Sequence, residues 1–260
     1  DKKMPGAKWF SGAKLNYAEN LLRYRDNKIA IQFKGEGQSV RSLTYQELFD
    51  EVEKLASALR KIGIQQGDRV AGFMPNMPET IIAMLATASI GAIWSSSSPD
   101  FGIKGVLDRF TQIEPKVLFA ANGYYYNGKK FDSLEKLNSI LDQLPSVNRV
   151  VVTPYTESNP DISSVKNGIL WDNFKDSNPS PLKFEQLPFQ HPLYIRYSSG
   201  TTGLPKSIVH GAGGTLIQHL KELRLHSNIY QDDTIFYFTT CGWMMWNWLV
   251  SNLAIGAAIV

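Results

Sequence analysis

An α/β fold is predicted for this chain by three features: short apolar runs of strand length, amphipathic segments of helix length between them, and glycines where the helices must stop. Strands separated by helix-length crossovers pair in parallel and are covered on both faces. The first element is a helix over 44–62, opened by Thr44-Tyr45-Gln46-Glu47. That is a capping box, in which a hydroxyl and a carboxylate satisfy free amides of the first turn. Leu48, Val52, Leu55, Leu59 and Ile62 give the helix one apolar face, and Gly63 stops it. A strand over 70–74 follows Gly67-Asp68. Asn76 and Pro78 open a second helix through about residue 90, Gly91 ends it, and 92–94 reads as a strand. The alternation continues with a helix over 103–112, a strand over 117–121, a helix over 133–143 and a strand over 149–153.

From 154 to 192 the chain is rich in Pro, Ser, Asn and Asp, with 168–174 the one ordered piece, which predicts a surface connection between two sheets. Regular structure resumes with a strand over 193–197, a Gly/Thr loop, a strand near 208–209 and a helix over 214–228. A strand over 234–240, a helix over 244–254 and a strand starting at 257 complete the reading. Natural domains rarely stop inside an apolar strand, so a piece of a longer protein is expected. The expected organisation is an N-terminal extension and lead-in over 1–43, a first α/β subdomain over 44–153, the Pro-rich connection over 154–192, and a second α/β subdomain, itself cut short, over 193–260.

Composition narrows the function classes. The 260 residues are 43% hydrophobic and 20% charged, as in ordinary globular proteins. The net charge of +3 and the lack of a Lys/Arg run argue against a nucleic-acid partner. The apolar stretch 244–260 is interrupted by Asn247, Ser251, Asn252 and Gly256, so no membrane span is expected. One cysteine, Cys241, excludes an internal disulfide framework and fits a reducing, cytoplasmic setting. His191, His210, His219 and His226 form no metal-ligand spacing with it. Cys241 reads as packing, since no His–Asp pattern surrounds it to activate a nucleophile.

The most informative segment is Tyr197-Ser198-Ser199-Gly200-Thr201-Thr202-Gly203-Leu204-Pro205-Lys206. Small residues let backbone amides approach an anion, hydroxyls add donors, and Lys206 supplies a compact positive charge. Nucleotide phosphates need that chemistry, although composition alone fits a flexible turn with a solvated lysine equally well. A Walker A loop is excluded: counting from Gly200, Pro205 stands where its second glycine belongs and lacks the amide that would face a phosphate.

These ten residues resemble the phosphate loop of the adenylate-forming superfamily, which includes acyl-CoA synthetases, luciferases and peptide-synthetase adenylation domains. Gly67-Asp68-Arg69-Val70, Met74-Pro75-Asn76 and Pro78-Glu79 are similar to that family's early strand–helix unit. Trp9-Phe10, Gly12 and Leu15-Asn16 resemble the start of the acetyl- and acetoacetyl-CoA synthetase branch. Trp94 to Gly102 and Thr239-Thr240-Cys241-Gly242-Trp243-Met244-Met245-Trp246-Asn247 look like the acetoacetate-specific members, where acetate enzymes carry Gly-Trp-Val-Thr-Gly.

The resemblance implies the N-terminal domain of the adenylate-forming fold, with two mostly parallel sheets sandwiched by helices. It implies a ligase for acetoacetate, ATP and CoA that works through an acyl-adenylate, with Mg²⁺ and no tightly bound cofactor. Ser198, Ser199, Gly200, Thr201, Thr202, Gly203 and Lys206 then hold the ATP phosphates, with Lys206 and Thr202 catalytic and Thr202 helping to hold Mg²⁺. Trp243, Met244 and Met245 border the acyl pocket. Lys129 stands in for an arginine at the CoA phosphates, or is a solvated loop lysine. The adenine motif, the acidic Mg²⁺ partner and a C-terminal catalytic lysine are expected in a missing C-terminal part of the chain, so this stretch alone is expected to be inactive. An acetate or propionate ligase and a non-catalytic nucleotide- or CoA-binding module are the alternatives.

Overall fold

A strand buried on both faces shows itself as an unbroken apolar run, and the Val117–Ala121 stretch is such a run. Val117, Phe119 and Ala121 enter one hydrophobic cluster while Leu118 and Ala120 enter another on the opposite face. A computed structural model describes residues 6–198 and 203–260.

The chain begins with β1 (Lys14–Leu15), a short helix α1 (Tyr17–Leu21) and a hairpin of β2 (Ile29–Phe33) and β3 (Arg41–Thr44). Helix α2 (Tyr45–Lys61) starts at the expected capping box: the Glu47 N–H donates to Thr44 Oγ1 at 3.1 Å and the Thr44 N–H to Glu47 Oε2 at 2.8 Å. Leu48, Val52, Leu55 and Leu59 are buried, but Ile62, expected on the same face, is exposed where the chain turns away at Gly63. Next come β4 (Arg69–Phe73), α3 (Pro78–Ser89), β5 (Ile93–Ser97), α4 (Ile103–Phe110) and β6 (Val117–Ala121). A second hairpin, β7 (Gly123–Tyr126) and β8 (Lys129–Asp132), precedes α5 (Leu134–Leu141) and β9 (Arg149–Thr153). Then follow β10 (Gly168–Leu170), α6 (Trp171–Phe174), β11 (Leu187–Pro188), β12 (Pro192–Ser198) and β13 (Lys206–Gly211). Helix α7 (Ala212–Lys221) widens into a π-helical turn over Glu222–His226, shorter in its α-helical part than expected. The chain finishes with β14 (Thr234–Ile235), α8 (Met244–Val250), a 3₁₀ turn over Ser251–Ala254 and β15 (Ala258–Ile259).

Seven strands form the main sheet in the order β10-β9-β6-β4-β5-β12-β13. Every neighbouring pair is parallel except β12 and β13. Helices α2 and α3 contribute to the cluster on one face, and α4 and α5 to that on the other. Gly72 is required in β4 because a Cβ there would lie 2.7 Å from the ring of buried Trp94. The second sheet, β14-β15-β2-β3, joins the two ends of the chain, Ile259 pairing in parallel with Ile31. Beside the small antiparallel pairs β1–β11 and β7–β8, two larger, mostly parallel sheets with helices packed against them make up the architecture that the resemblance implies.

Two local expectations need correcting. The 154–192 stretch does not lead to another sheet: β12 returns beside β5, with Tyr194 opposite Trp94. The strand expected over 234–240 stops at Ile235, because no described strand pairs with 236–240, and Phe236 and Phe238 are exposed.

Candidate functional site

Strand β12 runs parallel to β5, so its C-terminal end shares an edge of the sheet with the C-terminal ends of β4 and β5. Ligands of α/β sheets sit beyond that edge. The strands that flank the Gly/Thr loop, β12 and β13, meet at that edge with Ser198 directly opposite Lys206. Ser199, Gly200, Thr201 and Thr202 lie outside the described residues. Gly203 has φ of +115°, a conformation that side chains rarely adopt, and Lys206 is exposed at the first position of β13.

The base of this hairpin is braced by residues that sequence reading missed. Gln112 Nε2 donates to the Pro205 carbonyl at 2.9 Å, and Ser207 Oγ donates to Gln112 Oε1 at 2.7 Å, so one amide grips both neighbours of Lys206. On the other strand, Tyr197 donates to the Arg109 carbonyl at 3.2 Å. Burial pushes the Tyr197 phenol up to about 12, so it stays a neutral donor.

The 241–247 segment is tied to the same edge. Ser96 Oγ donates to the Cys241 carbonyl at 2.7 Å, Cys241 Sγ lies 2.8 Å from the Met74 carbonyl, and Trp246 Nε1 donates to Asn76 Oδ1 at 2.8 Å. Burial pushes the Cys241 thiol up to about 12, which agrees with packing and not with a thiolate nucleophile. These ties leave Trp243, at the helix start, 64% exposed and Met244 36% exposed, with Met245 half-buried. Met244 borders a cleft of about 550 Å³ shared with Val209, His210, Thr215 and His219. His210 is half-buried and its imidazole pKa is lowered, chiefly by burial.

A further unforeseen residue joins the two regions. Arg196, two positions before Ser198 on β12 and only 4% exposed, donates to the Cys241 carbonyl at 2.6 Å, to Ser96 Oγ at 3.2 Å and to Asn247 Oδ1. The strand that leads into the Gly/Thr loop and the segment that carries the acyl-pocket candidates are therefore brought together. Lys129 is not: it is exposed on the β7–β8 hairpin after β6, which β4 and β5 separate from β12.

Hydroxyls and an ammonium at a strand edge can bind and orient an anion, and exposed Trp and Met beside them can contact an apolar group. Among the described residues no group of three or more His, Cys, Asp or Glu side chains could hold a metal ion. Ser198 and Lys206 suit phosphate oxygens and not a bare cation, so a divalent ion fits here only as part of a metal–nucleotide complex. No helix among the described residues is long and apolar enough to cross a membrane.

Known proteins resemble this chain in sequence and fold. Acetoacetyl-CoA synthetase of Gallus gallus is 55% identical over 260 residues, covering 97% of this chain and 39% of that protein. Acetoacetyl-coenzyme A synthetase of Rhizobium meliloti (strain 1021) is 53% identical over 259 residues, covering 99% of this chain and 40% of that one. The solved structure of acetoacetyl-CoA synthetase from Streptomyces lividans superposes with a TM-score of 0.94 at 43% identity, covering 100% of this chain and 40% of that chain. The chain thus spans about 40% of the length of the proteins it matches. Residues 18–260 match the family described as AMP-binding enzyme, and with the strand-edge loop and the segment beside it the chain belongs to that family.

Proposed function

We propose that the protein containing this chain ligates acetoacetate to CoA at the expense of ATP. A carboxylate oxygen of acetoacetate attacks the α-phosphorus, the bond to the bridging oxygen breaks, and pyrophosphate leaves. The CoA thiolate then attacks the acyl carbon of the mixed anhydride and AMP leaves. The first step gathers negative charge on the phosphates, which oriented donors and a cation stabilise more in the transition state than in the ground state. That role falls to the Ser198 and Ser199 hydroxyls, the amides of Gly200 and Gly203, the hydroxyls of Thr201 and Thr202, and the Lys206 ammonium. Mg²⁺ would come as part of the ATP substrate, and Thr202 would help to hold it. Trp243, Met244 and Met245 border the acyl group, and Lys129, outside the strand-edge cluster, either contacts CoA phosphate or is a solvated loop lysine. A single, buried Cys241 suits a reducing, cytoplasmic compartment.

The observation that carries this reading is the convergence of the β12–β13 hairpin and the 241–247 segment on one sheet edge, joined through Arg196. The relatives' names supply the acid. The test is ATP–pyrophosphate exchange by the intact protein with acetoacetate, acetate or propionate. Exchange strongest with acetoacetate is expected. A preference for acetate or propionate replaces the substrate, and no exchange with any acid favours a non-catalytic binding module.

A further inference from the structure

Arg196 poses a physical problem that the proposed reaction does not use. Its side chain is buried, none of its hydrogen-bond partners among the described residues is a carboxylate, and its Nε has no partner among them at all. A guanidinium removed from water without a counter-charge is costly, and even buried ion pairs, which do have one, can often be replaced as a whole by apolar side chains of similar volume without loss of stability. Fold stability is therefore a poor explanation for this residue.

Its contacts suggest another role. Nη1 donates to the Cys241 carbonyl at 2.6 Å and Nη2 to Asn247 Oδ1, so one planar fork grips both ends of the segment that carries Trp243, Met244 and Met245. Nη1 also meets Ser96 Oγ at 3.2 Å, and Ser96 donates to the same Cys241 carbonyl at 2.7 Å, which extends the clip to β5. The guanidinium carbon lies 5.6 Å from the Trp246 ring and 5.6 Å from the Tyr194 ring, one from the segment and one from its own strand. Alternate residues of a strand share a face, so Arg196 and Ser198 face the same way. A rigid fork fixes two acceptors relative to each other, which a lysine ammonium cannot do.

We propose that Arg196 is a positioning residue that sets the placement of the acyl-contacting segment relative to the phosphate loop, and so aligns the acid for attack on ATP. This rests on the reading of 241–247 as the acyl side of the site. Strand β12 is itself held by β5 and β13 through backbone pairing, so losing the side chain loosens the segment, which Ser96, Met74 and Asn76 still tie to the sheet edge, and leaves the base of the loop in place.

The experiment compares wild type, Arg196→Met and Arg196→Lys in the intact protein, using whichever short acid the wild type activates best. Arg196→Met is expected to keep Tm within about 3 °C of wild type. Its kcat/KM for the acid should fall by about tenfold or more, since misplacement by ~1 Å can cost about a hundredfold. KM for ATP should hold, and Arg196→Lys should lie between the other two. A folded Arg196→Met protein with wild-type acid kinetics overturns the proposal, as does a loss that falls equally on acid and ATP. If Arg196→Met does not fold, Arg196→Lys and Asn247→Ala decide: wild-type acid kinetics in both overturns it. A wild type that prefers acetate refutes only the acetoacetate assignment. If no acid is activated, hydrogen–deuterium exchange over 241–247 decides, with faster exchange in Arg196→Met expected and unchanged exchange overturning the clip.

Discussion

Acidification should destabilise this protein through one buried imidazole. His219 on α7 is buried, and its Nδ1 lies 2.7 Å from Ser251 Oγ, which also meets the Tyr17 hydroxyl at 2.6 Å and the Asn247 carbonyl at 3.0 Å. Burial lowers its pKa from 6.5 to about 4, Glu222 opposing and His210 adding to the effect. With the folded value depressed, the unfolded chain takes up the proton first as pH falls. Stability is complete above the unfolded value of 6.5 and is lost as pH falls toward about 4. That gap corresponds to about 3 kcal/mol in total, of which about 2 kcal/mol should disappear between about pH 7.5 and about pH 5. His219→Gln keeps a hydrogen-bonding group for Ser251 but removes the titration. The assay is urea unfolding of the intact protein at both pH values, followed by tryptophan fluorescence. Wild type should lose about 2 kcal/mol more than the variant over this interval. Losses that agree to within about 0.5 kcal/mol would show that His219 is not buried in its neutral form.

Three further outcomes are expected. Lys206→Ala in the intact protein should slow pyrophosphate exchange by about 10²-fold without moving the unfolding midpoint, since the side chain is exposed; a wild-type rate would make it a solvated lysine. Met245→Thr should change discrimination between acetoacetate and acetate by about 1–3 kcal/mol, read as a ratio of kcat/KM values. A complete switch to acetate in that variant would mean that Met245 alone sets the acid. Thr44→Ala should cost about 1 kcal/mol by denaturant midpoint, and no shift would mean that the observed capping box contributes nothing in solution.

The parallel core was legible because burial on both faces writes itself as uninterrupted apolar runs, as in β6 and β9. The β7–β8 hairpin escaped notice although its turn was visible: Asn127 and Gly128 take φ of +51° and +74°, the pattern that an Asn-Gly pair favours. Conversely, Phe236 to Thr240 reads as a good strand by residue type, yet none of the described strands lies beside it. The Gly/Thr loop stood out as a run of small residues, and its resemblance to a known phosphate loop rather than its composition separated it from a flexible turn. Arg196 and Gln112 did not stand out. A charged residue in a strand reads as a solvent-facing one, and only the fold reveals that Cys241 and Asn247 cover Arg196 or that Pro205 and Ser207 come to Gln112.

The smaller sheet has a consequence for synthesis. Strand β15 completes it by joining β2, and the Tyr45 hydroxyl reaches the Ala257 carbonyl across 212 residues of sequence. On a ribosome adding about 5–20 residues per second, the β2–β3 hairpin waits for tens of seconds before its neighbour strand emerges. During that interval Ile31 and Tyr45, buried in the finished protein, have no cover from that side. Nascent chains stalled before and after residue 259 has left the ribosome should therefore differ sharply in chaperone crosslinking at this amino-terminal hairpin, far from the point of elongation.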